Sequence, residues 1–452
     1  MRANQSHQRH WWSYYQSIER NHWSFLKFTL ITLVFIFSFL SWQSQKIEWI
    51  IILILLVIIF IFINPKLLLL TTILVLIFLF AIYLISQTIT INSKLEGNFR
   101  VKQVIGNGII IEKGINKIFI KNNFNFFIDD LVYLNVEKIE KLNLSLNDDS
   151  FNNYLKSQGV FFVANKVNKI SLINNQLTFK QNVLNYFLDG PSFYSKYLPL
   201  TLLGYKIDWN QDIYLKLQNV SLIHLFVISG FHINLWIFIL SKIVNKFTDQ
   251  NKYINLVIPL ILIPYLWLIN FPISALRAYV FSYLMIINKY FLKNKYDPLD
   301  LLAITMLIFF LLNPYIISSI SFLLSFLISY GILLVTRQKK QKFLKLKVHI
   351  IAWLSSTFLL TYLNQNLNLT GLFTNLVLSP IIILIYFISS LMFFIKPLMD
   401  NLFYLFDVII NLLEFIAINI SLKINLWIII SSYFVLFSYL ILINGRQNWS
   451  KN

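Results

Sequence analysis

Apolar residues in this chain fall into long runs broken by short polar turns, and three such runs, about 28–43, 47–64 and 66–86, open it. Each approaches the roughly 20 helical residues that cross about 30 Å of hydrocarbon, so each reads as a membrane-spanning helix. Turns at Gln43 to Lys46 and at Asn64-Pro65-Lys66 separate them. Residues 1–27 are polar and aromatic, with Arg2, Arg9, Arg20 and Lys27. They hold the first apolar run too far from the start for a cleavable signal peptide, so this tail is expected in the cytoplasm, 28–87 as three spanning helices, and the next stretch of chain outside.

That next stretch, about 88–221, is hydrophilic. Its first half alternates apolar and polar residues in short segments, Phe99 to Ile105, Gly108 to Glu112, Lys117 to Lys121 and Leu131 to Ile139. Asn107-Gly108 and Lys113-Gly114 sit where hairpin turns need a left-handed residue. So many strands in so little chain bury one face only by closing, which predicts a small barrel or sandwich of the OB type over 88–175. Within it Phe151 to Ser157 reads as helix and Gly159 to Ile173 as extended. Residues 176–221 form a connecting segment, with amphipathic helices over 182–200 and 210–220 expected near the membrane surface.

From Leu222 the apolar runs resume: 222–241, 253–270, 275–291, 299–314, 316–336, 347–363, 371–395, 401–422 and 424–444, before a tail at 445–452. In the run 401–422, Asp407, Asn411 and Glu414 recur at helical spacing and make one polar face. That face leaves two readings open: a segment lying in the interface with its carboxylates solvated, or a crossing helix whose Asp407 and Glu414 serve as ion-pair partners or proton carriers. The fold class is therefore a polytopic α-helical membrane protein of about 11–12 spanning segments with an inserted β-rich external domain.

Composition agrees: of 452 residues 57% are apolar and 13% charged, against roughly 45–50% and 25% in soluble domains. Cysteine is absent, which excludes disulfides, thiol catalysis and Cys-ligated zinc. The net charge of +19 has two explanations, anionic partners or cytoplasmic loops held inside. Placement favours the second, because Lys242, Lys246, Lys252, Lys293, Lys295 and the run Arg337 to Lys347 all fall in loops that parity puts inside, whereas 364–370 carries no basic residue.

The candidate chemistry lies inside apolar runs, where each polar group must find a partner. His224-Leu-Phe-Val-Ile-Ser229-Gly230-Phe-His232-Ile-Asn234 opens the fourth run. Eight helical residues separate the two histidines by about 12 Å and about 80° of rotation, which argues against a metal held by them alone. Ser229 and His232 stand three apart, as in a nucleophile and base, yet no orienting acid or oxyanion donor accompanies them. Helix packing and the lining of a water-filled path account for the same residues. Arg277 is the only arginine inside an apolar run, and it either snorkels to the surface or stands beside the route of an anion. In the external domain Phe99, Phe119 and Tyr133 interleave with Lys102, Lys117 and Lys121, a pattern suited to single strands, although alternation sends about half of such aromatics into a core. The chain has no Walker G-x-x-x-x-G-K-[ST], Rossmann glycine or H-E-x-x-H pattern, and no metal or other cofactor is expected.

The run His224-Leu-Phe-Val-Ile-Ser-Gly-Phe-His232 resembles the H-L-x-x-x-S-G-x-H signature of the ComEC family, membrane channels that carry transforming DNA into bacteria during natural competence. Further landmarks stand in the family's order: Leu202-Leu203-Gly204, Leu276-Arg277-Ala278, Asp297-Pro298-Leu299, Leu312-Asn313-Pro314, Leu324-Ser325-Phe326 with Gly331, and Asn375-Leu376 before Pro380. Tyr154 to Gly159 resembles the end of the family's external OB-like domain. Leu323 stands where the family commonly has glutamine. The metallo-β-lactamase-like domain of many members is missing, which implies a short form served by a separate nuclease. In the family that domain is thought to lie outside, which favours a segment 401–422 that does not cross.

The resemblance implies a channel for single-stranded DNA in the cytoplasmic membrane and no enzymatic activity of its own. His224, Ser229, Gly230, His232, Asn234, Arg277, Ser325 and Asn375 are expected to line or shape the path, and Phe99, Lys102, Lys117, Phe119, Lys121 and Tyr133 to meet DNA outside. Implied partners are membrane lipid, an external DNA receptor and a cytoplasmic ATP-driven helicase or translocase. An intramembrane serine hydrolase and a secondary transporter of a small solute or lipid-linked sugar stay open as alternatives.

Overall fold

The computed structural model describes residues 24–63, 65–88, 94–105, 108–114, 116–121, 126–143, 145, 150–174, 177–205, 211–222, 225, 230–247, 252–337 and 343–449. They form two compact units, one of residues up to 182 with 303–320 and the other of 183–302 with 321 onward.

The first unit starts with three helices, α1 (Ser24–Ser44), α2 (Ile47–Ile63) and α3 (Pro65–Thr88). Leu30, Val34, Phe35 and Phe39 of α1 meet Phe60 and Val75 in one buried cluster. Five strands come next: β1 (Leu95–Ile105), β2 (Gly108–Lys113), β3 (Asn116–Lys121), β4 (Leu131–Lys141) and β5 (Val160–Asn174), with helix α4 (Ser150–Ser157) between the last two. They close into a barrel in the order β1-β2-β3-β5-β4. All neighbours are antiparallel except β3 and β5. Ile109 and Ile111 of β2, Ile118 and Ile120 of β3, and Val132, Leu134 and Val136 of β4 fill the barrel, the alternation a one-sided strand requires. The expected strands are thus present, β1 beginning four residues earlier; Asn107 lies outside the described residues. Gly159 ends α4 in the left-handed conformation, φ +76°, its N–H donating to the Lys156 carbonyl, a cap that glycine adopts without a Cβ clash.

In the second unit the connecting segment is broken into α5 (Phe179–Leu188), α6 (Ser192–Leu198), a π-helical turn (Pro199–Leu203) and α7 (Gln211–Asn219). Then come α8 (Gly230–Phe247), α9 (Lys252–Val257), a 3-10 turn (Ile258–Leu262), α10 (Ile263–Leu268) and α11 (Ile273–Tyr290). Pro259 and Pro264 lack the N–H that a continuous helix needs, so the run expected at 253–270 is three pieces. α12 (Pro298–Leu312) contains the boundary between units and leads to a 3-10 turn (Pro314–Ser318) in the first. The second unit continues with α13 (Ile320–Thr336), α14 (Leu344–Asn364), strand β6 (Asn366–Asn368), α15 (Gly371–Met392), α16 (Lys396–Ile416), strand β7 (Asn419–Ser421) and α17 (Leu426–Trp449). By length and composition α1, α3, α14 and α15 are able to cross a membrane, and five described helical stretches are apolar but shorter.

One expectation changes here, and one strand pairing constrains the path of the chain. Asp407, Asn411 and Glu414 are not simply solvated: Tyr197 Oη donates to Asp407 at 2.6 Å, Lys216 to Asn411 at 2.7 Å and Asn219 to Glu414 at 2.9 Å. Asp400 accepts the N–H groups of Phe193 and Tyr194, both at 2.8 Å. The polar face of α16 is therefore a row of acceptors for the connecting segment, while Met399, Phe403, Phe406 and Ile410 bury its other face with Tyr194, Tyr197 and Leu198. Burial and the Asp407 carboxylate both raise the Tyr197 phenol above its usual range. Secondly, β6 pairs with β7, so whatever depth α15 reaches, α16 carries the chain back. If α15 crosses a membrane, α16 returns through it.

This hairpin is testable because the chain lacks cysteine. Asn366 and Ser421 face each other just inside the Leu422 N–H to Gln365 carbonyl bond, a non-hydrogen-bonded position with Cα atoms roughly 4.5 Å apart, within disulfide range. Mild oxidation of the Asn366→Cys, Ser421→Cys variant should remove both thiols from maleimide labelling. Two thiols that stay reactive would contradict the pairing.

Candidate functional site

His224 and Ser229 lie outside the described residues, whereas Gly230, His232 and Asn234 open α8. Successive helical residues turn by about 100°, so Gly230 and Asn234 share one side of α8 and His232 and Trp236 the other. The two sides meet different helices.

On the first side α8 lies tightly against α11: a Cβ at Gly230 would fall 2.7 Å from the Ala278 Cβ and 3.3 Å from Arg277 Nη2. One turn on, Asn234 Oδ1 accepts a hydrogen bond from Ser282 Oγ of α11 at 2.5 Å. Arg277 turns toward α13. Its Nη1 donates to Ser329 Oγ at 2.7 Å and its Nη2 to Ser325 Oγ, and the guanidinium carbon stands 5.5 Å from the centre of the Phe326 ring. The side chain is buried, Nε has no hydrogen-bond partner, and no carboxylate pairs with Arg277 among the described residues. Arg277 therefore does not snorkel. It sits as a desolvated cation between α8, α11 and α13, held by neutral hydroxyls.

On the other side His232 is buried, its ring 4.1 Å from that of Tyr386 on α15. Trp236 Nε1 donates to Tyr386 Oη at 3.1 Å, Tyr265 Oη of α10 lies 3.4 Å from the same oxygen, and Tyr265 donates to the Leu202 carbonyl at 3.0 Å. A hydrogen-bonded aromatic chain thus ties α8, α10 and α15 to the π-helical turn. Asn375, on α15, has a buried Oδ1 with no hydrogen-bond partner. Ser329, Trp236, Tyr265 and Tyr386 escaped sequence reasoning. Only the serines left a signal, a polar pair at i and i+4 in an apolar helix.

The barrel revises its own candidates. Phe119 is buried, with Ile110, Leu155 and Val160 around it and Phe151 edge-on at 5.3 Å, so its ring serves as core. Phe99 packs partly against the barrel interior. Lys117 donates to the Gln158 carbonyl at 3.0 Å, and burial lowers its pKa. Lys102 pairs with Glu112 at 3.3 Å, and Tyr133 donates to Glu96 at 2.6 Å. Lys121 remains exposed. No group of three or more His, Asp or Glu residues able to hold a metal ion occurs among the described residues.

Among curated proteins the chain is similar to "Uncharacterized protein MG316 homolog" of Mycoplasma pneumoniae, 28% identical over 216 residues, 46% of this chain and 54% of the other. It is similar to "Uncharacterized protein MG316" of Mycoplasma genitalium at 29% identity over 199 residues, 43% of this chain and 50% of the other. The chain thus spans about half the length of these relatives. No solved structure matches it. The model of one family, described as "Competence protein", matches residues 201–446, more than half of the chain. That span holds the whole Arg277 cluster and the aromatic chain from Leu202 to Tyr386, and on it the chain belongs to the Competence protein family.

Proposed function

We propose that this protein is a channel that passes single-stranded DNA inward across the cytoplasmic membrane during competence. The observation that carries the proposal is the family match over residues 201–446, the span in which polar groups are held inside apolar helices. Uncompensated charge and exposed amide are costly against lipid, so Arg277 and the Asn234–Ser282 pair are better suited to a wetted route for a polyanion. Weak, repeated contacts let a strand keep moving. The barrel's strand order is that of an OB-type fold in this reading, at the outer entrance, with Lys121 offering the least engaged cation. Each phosphate moving into a cell with a negative interior opposes about 2.3 kcal/mol per 100 mV, so a cytoplasmic ATP-driven motor completes the machine. The side chains act as contacts, not as catalysts.

Uptake of labelled DNA by cells lacking the protein tests this: import should disappear and return on complementation. Undiminished import in the deletion strain would end the channel reading. The orientation has its own check, since Lys121→Cys should react with a membrane-impermeant maleimide on intact cells, and labelling only after lysis would reverse the arrangement.

A further inference from the structure

Arg277 has more donors than its surroundings satisfy. A guanidinium offers five N–H groups in a rigid fork; Ser325 and Ser329 take two of them, and Nε is buried with no acceptor. Both partners are neutral hydroxyls one turn apart on α13, so they orient the fork without cancelling its charge. Only 9% of the residue is exposed, and an unneutralised cation at that depth is costly unless an anion completes it.

We propose that Arg277, positioned by Ser325 and Ser329, is a receptor for one phosphodiester oxyanion of the DNA strand. This rests on the channel reading and adds a contact point to it. Two N–H groups of the fork face the serines, and those that remain meet the phosphate oxygens. Each serine hydroxyl, accepting from Arg277, keeps its own proton to donate. A single such contact holds a phosphate in register and releases it as the next arrives.

The test compares two fluorescent single-stranded oligonucleotides of one sequence, one with a phosphodiester and one with an uncharged methylphosphonate backbone, binding the full chain in phosphatidylcholine nanodiscs. Arg277→Gln should weaken the phosphodiester strand by roughly tenfold or more, the scale of charge-assisted hydrogen bonds, and leave the methylphosphonate strand unchanged. Arg277→Lys keeps the charge but loses the fork and should fall between. Ser325→Ala with Ser329→Ala should lower phosphodiester affinity several-fold although the arginine is intact, and Ser325→Thr with Ser329→Thr should restore it, which distinguishes positioning from packing. Equal loss for both strands, or no change in Arg277→Gln, overturns the assignment and leaves the channel reading standing. Loss of wild-type discrimination in phosphatidylglycerol nanodiscs would also overturn it, by assigning the site to lipid phosphate. A wild-type protein that binds neither strand removes the channel reading itself.

Discussion

Lys156→Met is expected to loosen α4 from the loop after β4, and with α4 its link to the turn after α12, at a cost of about 2–4 kcal/mol for two lost charge-assisted hydrogen bonds. Lys156 is fully buried, and its Nζ donates to the carbonyls of Asn143 at 2.9 Å and Ser145 at 2.5 Å, with the Tyr315 ring 5.8 Å away. Methionine keeps the stem and its packing but leaves both carbonyls without their donor. Asn313 completes the link from the other side. Its Nδ2 donates to the carbonyls of Lys156 and Ser157, at 3.1 and 3.0 Å, and its Oδ1 accepts the Tyr315 N–H at 3.1 Å. One side chain thus takes up the Ser157 carbonyl at the end of α4, adds a second bond to the Lys156 carbonyl that Gly159 already engages, and caps the next turn. Asn313→Asp should be at least as damaging as Asn313→Ala, because a carboxylate has no proton to give and faces two carbonyl oxygens. Hydrogen exchange reads the effect locally: amides of 150–157 and 313–318 should lose roughly two orders of magnitude of protection in Lys156→Met. Protection equal to the wild type would show that the link is not held this way.

The same link shows how far the sequence was legible. Leu312-Asn313-Pro314 and Tyr154 to Gly159 both stand out as landmarks, yet nothing local says that one caps the other across 157 residues. Hydrogen-bonding capacity is written in the residue, whereas the partner is set by the fold. The strands were visible because their alternation and glycine turns are local. Phe119 was misleading for a local reason as well: β3 carries Ile118-Phe119-Ile120 without a polar break, and α4 covers its outer side, so both faces are buried and period-two reasoning loses its basis. On α16 the polar stripe was plain, but its partners Tyr197, Lys216 and Asn219 lie about 200 residues earlier, 210, 195 and 195 positions away. Arg277 announced itself as a charge among apolar residues. Of the serines that hold it, Ser325 stood among the path candidates and Ser329 did not, since serine in an apolar helix usually bonds its own backbone.

Gly230→Ala should separate the two roles of the α8–α11 contact. The added Cβ would lie 2.7 Å from the Ala278 Cβ, a clash between two groups that have no torsion with which to move aside. α8 must shift, and overpacking of this kind costs about 1–3 kcal/mol, seen as a lower thermal midpoint of the full chain in nanodiscs. Ala278→Gly removes the opposing methyl and, on its own, costs about 0.5–1 kcal/mol as a glycine within a helix. The double variant should therefore be more stable than Gly230→Ala alone, with a favourable coupling of about 1 kcal/mol or more. Strand discrimination should not recover with it. The same Cβ also stands 3.3 Å from Arg277 Nη2, and Ala278→Gly leaves that approach untouched, so the double variant should melt near the wild type yet bind the phosphodiester strand as poorly as Gly230→Ala. Strictly additive effects on stability would show that the two helices do not meet at these residues, and full recovery of both properties would show that crowding at Nη2 does not disturb the arginine.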